Sequence, residues 1–256
     1  MAVIIKTEEE IEILRAGGKR LADILQKVSE KVKPGISIME LDRYAEQLIR
    51  DDGDEPAFLG YKPAHHMAPY PASLCVSINN EIVHGIPKED KILKEGDIVS
   101  LDLGLKHNGL FTDHAVTVPV GKINKKDTEL LRITSEALLV GISAARGGNR
   151  VGDIGYAIQE FVKPYGYGIV RDLSGHGVGR AIHEDPFIPN YGKAGKGVEL
   201  VAGMVIAIEP MLNEGEDGTV VDRDGYTVRT MDGSKSAHFE HTILITDGEA
   251  EILTAI

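Results

Sequence analysis

Two aspartates on either side of a tight turn are the first residues here with the spacing for chemistry. In SLDLGLKHNGLFTDHAVT, Val99, Leu101, Leu103 and Leu105 alternate with Ser100, Asp102 and Gly104. Asn108-Gly109 is a strong two-residue hairpin signal. A turn centred there pairs His107 with Leu110, Leu105 with Thr112 and Gly104 with Asp113. Asp113 then shares a sheet face with Asp102 and lies diagonal to it, about 7–8 Å away at the backbone. Gly104 is expected to leave space between the two. Facing carboxylates repel, and a bound cation removes the repulsion. The alternative is a pair of solvated acids on an exposed face.

Three further segments favour the cation. SAHFEHTILIT sets Glu240 in an apolar strand, where an unpaired charge costs several kcal/mol. MVIAIEPM places Glu209 at the end of another apolar strand, just before Pro210. SGHGVGRAIHEDP carries His176 among glycines, with His183 further along. An oxygen-rich set with one imidazole suits Mn²⁺ or Fe²⁺ and accepts Co²⁺ or Zn²⁺. Four carboxylates are too many for one structural zinc. They can neutralise two divalent ions, and two ions about 3.5–4 Å apart form a hydrolytic arrangement. A glycosidase pair would explain two acids but not His176 or the other two. GHGVG lacks the strand–GxGxxG–helix context and the lysine of a nucleotide loop.

The elements that must position these groups repeat. Thr7 with Glu10 and Ser37 with Glu40 fit capping boxes, each leading into apolar residues at helical spacing. Pro34-Gly35 is expected to stop the first helix. LCVSI and EIVHG then alternate like strands around Asn79-Asn80. In the second half ELLRITSEALLVGISAA is helical, GDIGYAIQEFV matches MELDRYAEQLI, and LVAGMVIAIEP resembles LKEGDIVSLDL. Aligned on Gly96 and Gly203, Asp102 falls on Glu209. An internal repeat is expected, with halves of about 1–122 and 123–256 in one catalytic domain.

The chain has 256 residues and a formal net charge of −12, which argues against a nucleic-acid partner held by phosphate neutralisation. Transient contact with a ribosome or nascent chain is compatible with it. Cys75 is the single cysteine, so no intrachain disulfide forms, as in a reducing compartment. The opening MAVIIKTEEE is too short in apolar residues for a signal peptide, and no run approaches a membrane span. A cytoplasmic monomer with no membrane contact is expected.

Asp102, Asp113, His176, Glu209 and Glu240, taken in order with SINNEIVHGIP, resemble the metal-ligand pattern of methionine aminopeptidases over nearly the whole chain. The short stretch between His183 and Glu209 leaves no room for the insertion of the type II enzymes, and no zinc-finger extension is seen, so the likeness is to type I. The resemblance implies the α+β pita-bread fold: an antiparallel curved sheet flanked by helices with pseudo-two-fold symmetry. It implies that Asp113 and Glu240 bridge two metal ions, Asp102 holds one, and His176 with Glu209 hold the other. A water between the ions would attack the scissile carbonyl, with Glu209 carrying the proton. His84 and His183 would position the peptide and stabilise charge on its carbonyl. The implied reaction removes the initiator methionine from nascent polypeptides and favours a small second residue.

The same resemblance implies a methionine pocket lined by Tyr61, Tyr70 and Cys75, with Phe58, Ile182 and Tyr226 in positions where relatives differ. His114 after Asp113 is a further departure from the family pattern. Extra residues around Lys62–Pro69 include His65 and His66, a pair more typical of a solvated loop than of a surface metal site. Xaa-Pro dipeptidases share this fold and ligand set but usually carry an additional N-terminal domain. A non-catalytic relative would have lost ligands that this chain keeps.

Overall fold

The computed structural model describes residues 3–62 and 68–256. His65 and His66 lie outside these residues. Both expected capping boxes form. Thr7 accepts from the Glu10 amide at 3.3 Å while the Glu10 carboxylate accepts from the Thr7 amide at 2.8 Å, which starts helix α1 at Glu8–Ser29. Ser37 and Glu40 do the same for α2, Ile38–Asp51. Helix α1 ends short of Pro34-Gly35, with the Glu30 amide closing back on Gln26. Helices α3, Lys125–Ala144, and α4, Val151–Val162, follow in the second half.

Asn108 and Gly109 both take positive φ, and the hairpin they make has the expected register: His107 opposite Leu110 and Gly104 opposite Asp113. Its strands, Ile98–His107 and Leu110–Pro119, lie within a nine-stranded antiparallel sheet. The order runs from Ile98–His107 through Leu110–Pro119, Glu240–Leu244, Val205–Ile208 and Gly175–Gly177 to Glu184–Ile188. Strand Leu74–Ile78 adds to the outer side of Ile98–His107. Asn79-Asn80 turns the chain but closes no ladder onto Leu74–Ile78: Glu81–Val83 pairs with Val228–Thr230 instead.

The pleat sorts side chains between the two faces. Leu101, Leu103 and Leu105 face α1 and α2, in a core with Leu21, Ile24, Leu41 and Ile49. Ile206, Ile208 and Ile243 share a second core with Leu130, Ile133, Ile154 and Ile158 of α3 and α4. Each fully buried Leu or Ile contributes about 1.5–3 kcal/mol, so the helical face fixes the register. The alternating residues are thereby turned to the other face. Across that face Cys75 stands opposite Asp102, Asp102 opposite Ala115, and Ala115 opposite Glu240.

Candidate metal centre

That cross-strand row is the floor of the site. Asp102 and Glu240 flank Ala115, whose small side chain leaves the middle of the row open, and Asp113 lies one pleat along from Ala115. Glu209 follows the end of Val205–Ile208, the neighbour of Glu240–Leu244. His176 comes from Gly175–Gly177. A Cβ at Gly175 would lie 2.3 Å from the Ala207 carbonyl oxygen, and one at Gly177 the same distance from that of Asp185. The flanking glycines therefore let the His176 backbone enter between its neighbours.

One oxygen each of Asp113 and Glu240 and one ring nitrogen of His176 lie within 4.8 Å of one another. His176 Nε2 is 3.9 Å from Asp113 Oδ2 and 3.6 Å from Glu209 Oε1. His176 Nδ1 contacts the Gly177 carbonyl at 2.9 Å, so it carries the proton and Nε2 is left as a free donor pair. The Asp113 backbone is tied down by Thr242, whose hydroxyl accepts from the Asp113 amide at 2.9 Å and donates to its carbonyl at 2.8 Å.

Electrostatically this cluster is unbalanced. Burial, followed by repulsion from its acidic neighbours, pushes Asp113, Glu209 and Glu240 well above the usual carboxylate range. Burial raises Asp102 to about 7. Burial also depresses His176 and His238 to about 3 and His84 to about 4. Asp102 Oδ1 and Glu240 Oε1 are buried without a hydrogen-bond partner. Buried polar atoms are normally paired. Orphaned carboxylate oxygens beside a free imidazole lone pair are a fitting donor set for divalent cations.

Above the acids lies a cavity of about 540 Å³. All five expected ligands line it, together with His84, His183, Phe58, Tyr61, Tyr70, Cys75 and Tyr226. His84 sits there with φ 58°, a left-handed conformation rare for a non-glycine residue. His183 rests edge-on against His176, ring centroids 4.4 Å apart, and its Nδ1 is 2.6 Å from the Tyr61 hydroxyl. The Tyr70 and Tyr226 rings meet edge to face at 5.1 Å. The Tyr226 hydroxyl donates to the Ala68 carbonyl.

Two expectations need correction. Ile182 is not part of the cavity lining; it is buried in the apolar cluster that also holds Phe58, Tyr70 and Tyr226. The space over Gly104 is not left open between the acids. A Cβ there would lie 2.7 Å from Phe58 Cε1 and 2.8 Å from Ala57 Cβ, so the glycine admits the aromatic wall. One residue of the centre was not singled out from the sequence. His238 is buried with both ring nitrogens unpartnered, and its Nε2 is 3.6 Å from Glu209 Oε2 and 4.0 Å from Glu240 Oε2. The signal was present, because residues 238 and 240 share a face in a period-two strand pattern.

A buried acid cluster with imidazoles, at the foot of an apolar cavity on an antiparallel sheet, defines a metal-dependent hydrolase. Residues 12–247 match the model of metallopeptidase family M24. A methionine aminopeptidase from Aquifex aeolicus is 47% identical over 258 residues, covering 100% of both chains. Methionine aminopeptidase 1 from Bacillus subtilis is 45% identical, covering 99% of this chain and 100% of its own. The crystal structure of a Thermotoga maritima methionine aminopeptidase superposes with a TM-score of 0.95 at 45% identity over the full length of both. A prolidase from Pyrococcus furiosus gives 0.78 at 29% identity, and the match covers only 66% of that longer chain. The chain therefore belongs to metallopeptidase family M24 and, within it, to the type I methionine aminopeptidases. Its fold is the pita-bread fold of that family.

Proposed function

We propose that this chain removes the initiator methionine from nascent polypeptides, preferring a small second residue, with two divalent ions at the acid cluster. The observation that carries this reading is the convergence of Asp113, His176 and Glu240 within 4.8 Å, beside orphaned carboxylate oxygens. In this scheme Asp102, Asp113, His176, Glu209 and Glu240 would together hold the ions. Mn²⁺, Fe²⁺ and Co²⁺ suit the donor set, with Zn²⁺ a further candidate. When bound, such ions lower the pKa of a water and polarise a carbonyl.

The protein's own groups do the rest. Glu209 takes a proton from the attacking water and passes it to the leaving amine. His84 and His183 sit where one can orient the peptide and the other can donate to the carbonyl oxygen as negative charge develops there. Phe58, Tyr61, Tyr70, Cys75 and Tyr226 offer an apolar, aromatic wall, which suits a flexible thioether side chain. Among the described residues no helix is long and apolar enough to cross a membrane. The reading extends to a cytoplasmic monomer that meets nascent chains, with any ribosome contact transient. The catalytic unit is one domain whose halves, about 1–122 and 123–256, each supply acids to the shared centre.

Anaerobic purification with elemental analysis, followed by a peptide panel, tests this reading. Met-Ala-Ser is expected to be cleaved after methionine and Ala-Pro to be left intact. Faster cleavage of Ala-Pro, or turnover of Met-Ala-Ser by protein stripped of metal, would overturn it.

A further inference from the structure

Tyr61 was expected to serve as pocket wall. Its hydroxyl does something the wall does not require: it meets His183 Nδ1 at 2.6 Å, across 122 positions of sequence. The rings are tilted by 55° with centroids 5.2 Å apart, so the contact runs edge to edge through the polar atoms. We propose that Tyr61 is a positioning residue, whose phenol donates to His183 Nδ1 and so fixes this histidine as the tautomer with its proton on Nε2, available to the cavity. The inference rests on the role given to His183 above.

The direction of the hydrogen bond follows from what each partner can satisfy. A phenol carries one O–H donor, and a neutral imidazole has one donor and one acceptor nitrogen. Among the described residues the Tyr61 hydroxyl has no other acceptor, so donation to Nδ1 is the arrangement that places its proton. Burial raises the pKa of this phenol, which keeps the proton on it. An imidazole that accepts at Nδ1 must carry its hydrogen at Nε2. An N–H donor directed at the cavity is what a carbonyl oxygen gaining negative charge requires. The opposite tautomer would offer a lone pair there, which repels.

The surrounding structure supports a fixed geometry. The Tyr61 amide donates to the Phe58 carbonyl at 2.9 Å, and the Tyr61 carbonyl accepts from the Tyr70 amide at 2.8 Å. The Tyr226 hydroxyl reaches the same Tyr61 carbonyl at 3.4 Å. On the other side, Glu184, next to His183, is locked in a buried ion pair with Lys6 at 2.7 Å. It also accepts from the Arg180 and Ala181 amides at 2.6 and 3.0 Å. Both partners of the Tyr61–His183 contact are thus anchored through their own backbones or neighbours.

Tyr61→Phe keeps the ring as pocket wall and removes only the hydroxyl. In steady-state assays on Met-Ala-Ser it is expected to lower kcat by about tenfold, the worth of one well-made hydrogen bond, with KM unchanged. Tyr61→Leu, which removes the wall as well, is expected to raise KM too. Nitrogen-15 spectra of the full-length protein, labelled at histidine, report the tautomer without turnover. The wild-type His183 should show an unprotonated Nδ1 and a protonated Nε2, and Tyr61→Phe should shift both toward mixed values. On a His183→Ala background, Tyr61→Phe should cause no further loss. Wild-type kcat and unchanged ring shifts in Tyr61→Phe, or a wild-type proton found on Nδ1, would overturn the proposal. Full turnover by His183→Ala would instead overturn the role given to His183, with the nitrogen shifts still deciding the tautomer.

Discussion

Asp113→Asn tests the metal-centred reading most sharply, because it should change stability in opposite directions with and without metal. Asp113 and Glu240 each present an oxygen within 4.8 Å of the other. Two ionised carboxylates at that separation repel by about 3–4 kcal/mol at an effective dielectric of about 20. The metal-free fold relieves this by holding protons: burial first, and this repulsion second, makes these acids titrate high. Asparagine removes one charge and nearly preserves the shape. Its oxygen can still accept from the His114 amide, as Asp113 Oδ1 does at 3.0 Å. The metal-free variant is therefore expected to be more stable than wild type at neutral pH by about 1–3 kcal/mol. For a chain of this size that raises Tm by about 2–4 °C per kcal/mol.

With metal the order reverses. Wild type at a hundredfold excess of Mn²⁺ over Kd should gain about 2.7 kcal/mol by linkage, while a neutral amide in place of this carboxylate forfeits most of that gain. Thermal melts by circular dichroism, with chelator and with Mn²⁺, should show the two curves cross. The pH dependence follows the same logic. A carboxyl whose folded pKa is raised holds its proton where the unfolded chain, with pKa about 4, has lost it. The contribution of these carboxyls to the stability of the metal-free protein is thus greatest in acid and falls as pH rises from about 4 toward the raised values, about 7 for Asp102, while the buried imidazoles of His84, His176 and His238, held low, oppose it as pH falls below about 6.5. Asp113→Asn should flatten that fall. Melts that keep the same order in chelator and in Mn²⁺, or full turnover by the variant, would refute the reasoning.

The sequence was most informative where local rules act. The Asn108-Gly109 turn set the hairpin register, and period-two alternation then placed Asp102 and Asp113 on one face. The helix starts at Thr7 and Ser37 were legible for the same reason: the capping groups lie three residues apart. Contacts made across long sequence separations were not legible. Nothing local tells that Glu240 pairs with Ala115, or that Glu81–Val83 passes over its neighbour to Val228–Thr230. The resemblance supplied the partners of Glu240, whereas periodicity supplied only its strand. Gly104 shows the limit well. Its lack of a side chain reads locally as open space between the acids, and the group that fills that space, Phe58, is chosen by tertiary packing. Tyr61 was legible as an aromatic near a pocket, and its hydroxyl's partner on a distant loop was not.

Three further substitutions probe the shell around the centre. His84→Ala should slow turnover by about a hundredfold or more with metal content retained, since the imidazole acts on the substrate; loss of metal in that variant would place His84 among the ligands. Gly104→Ala puts a methyl 2.7 Å from Phe58 Cε1, where about 3.5–4.0 Å is needed. The ring must retreat by about 1 Å, so KM for methionyl peptides should rise, alongside about 1–3 kcal/mol of destabilisation from overpacking. Lys6→Met removes one half of the Lys6–Glu184 pair, whose side chains are only 0% and 4% exposed. The carboxylate left behind keeps two amide donors but no cation, and breaking such a pair costs about 3–5 kcal/mol. A fall in Tm of about 10 °C is expected. Adding Glu184→Leu should recover much of the loss, because two apolar side chains can replace a buried ion pair at little cost. If the single variant melted like wild type, the pair would contribute nothing to fixing the chain segment that carries His183. The anchoring of that histidine would then rest on Tyr61 and on the Arg180 and Ala181 amides that hold Glu184.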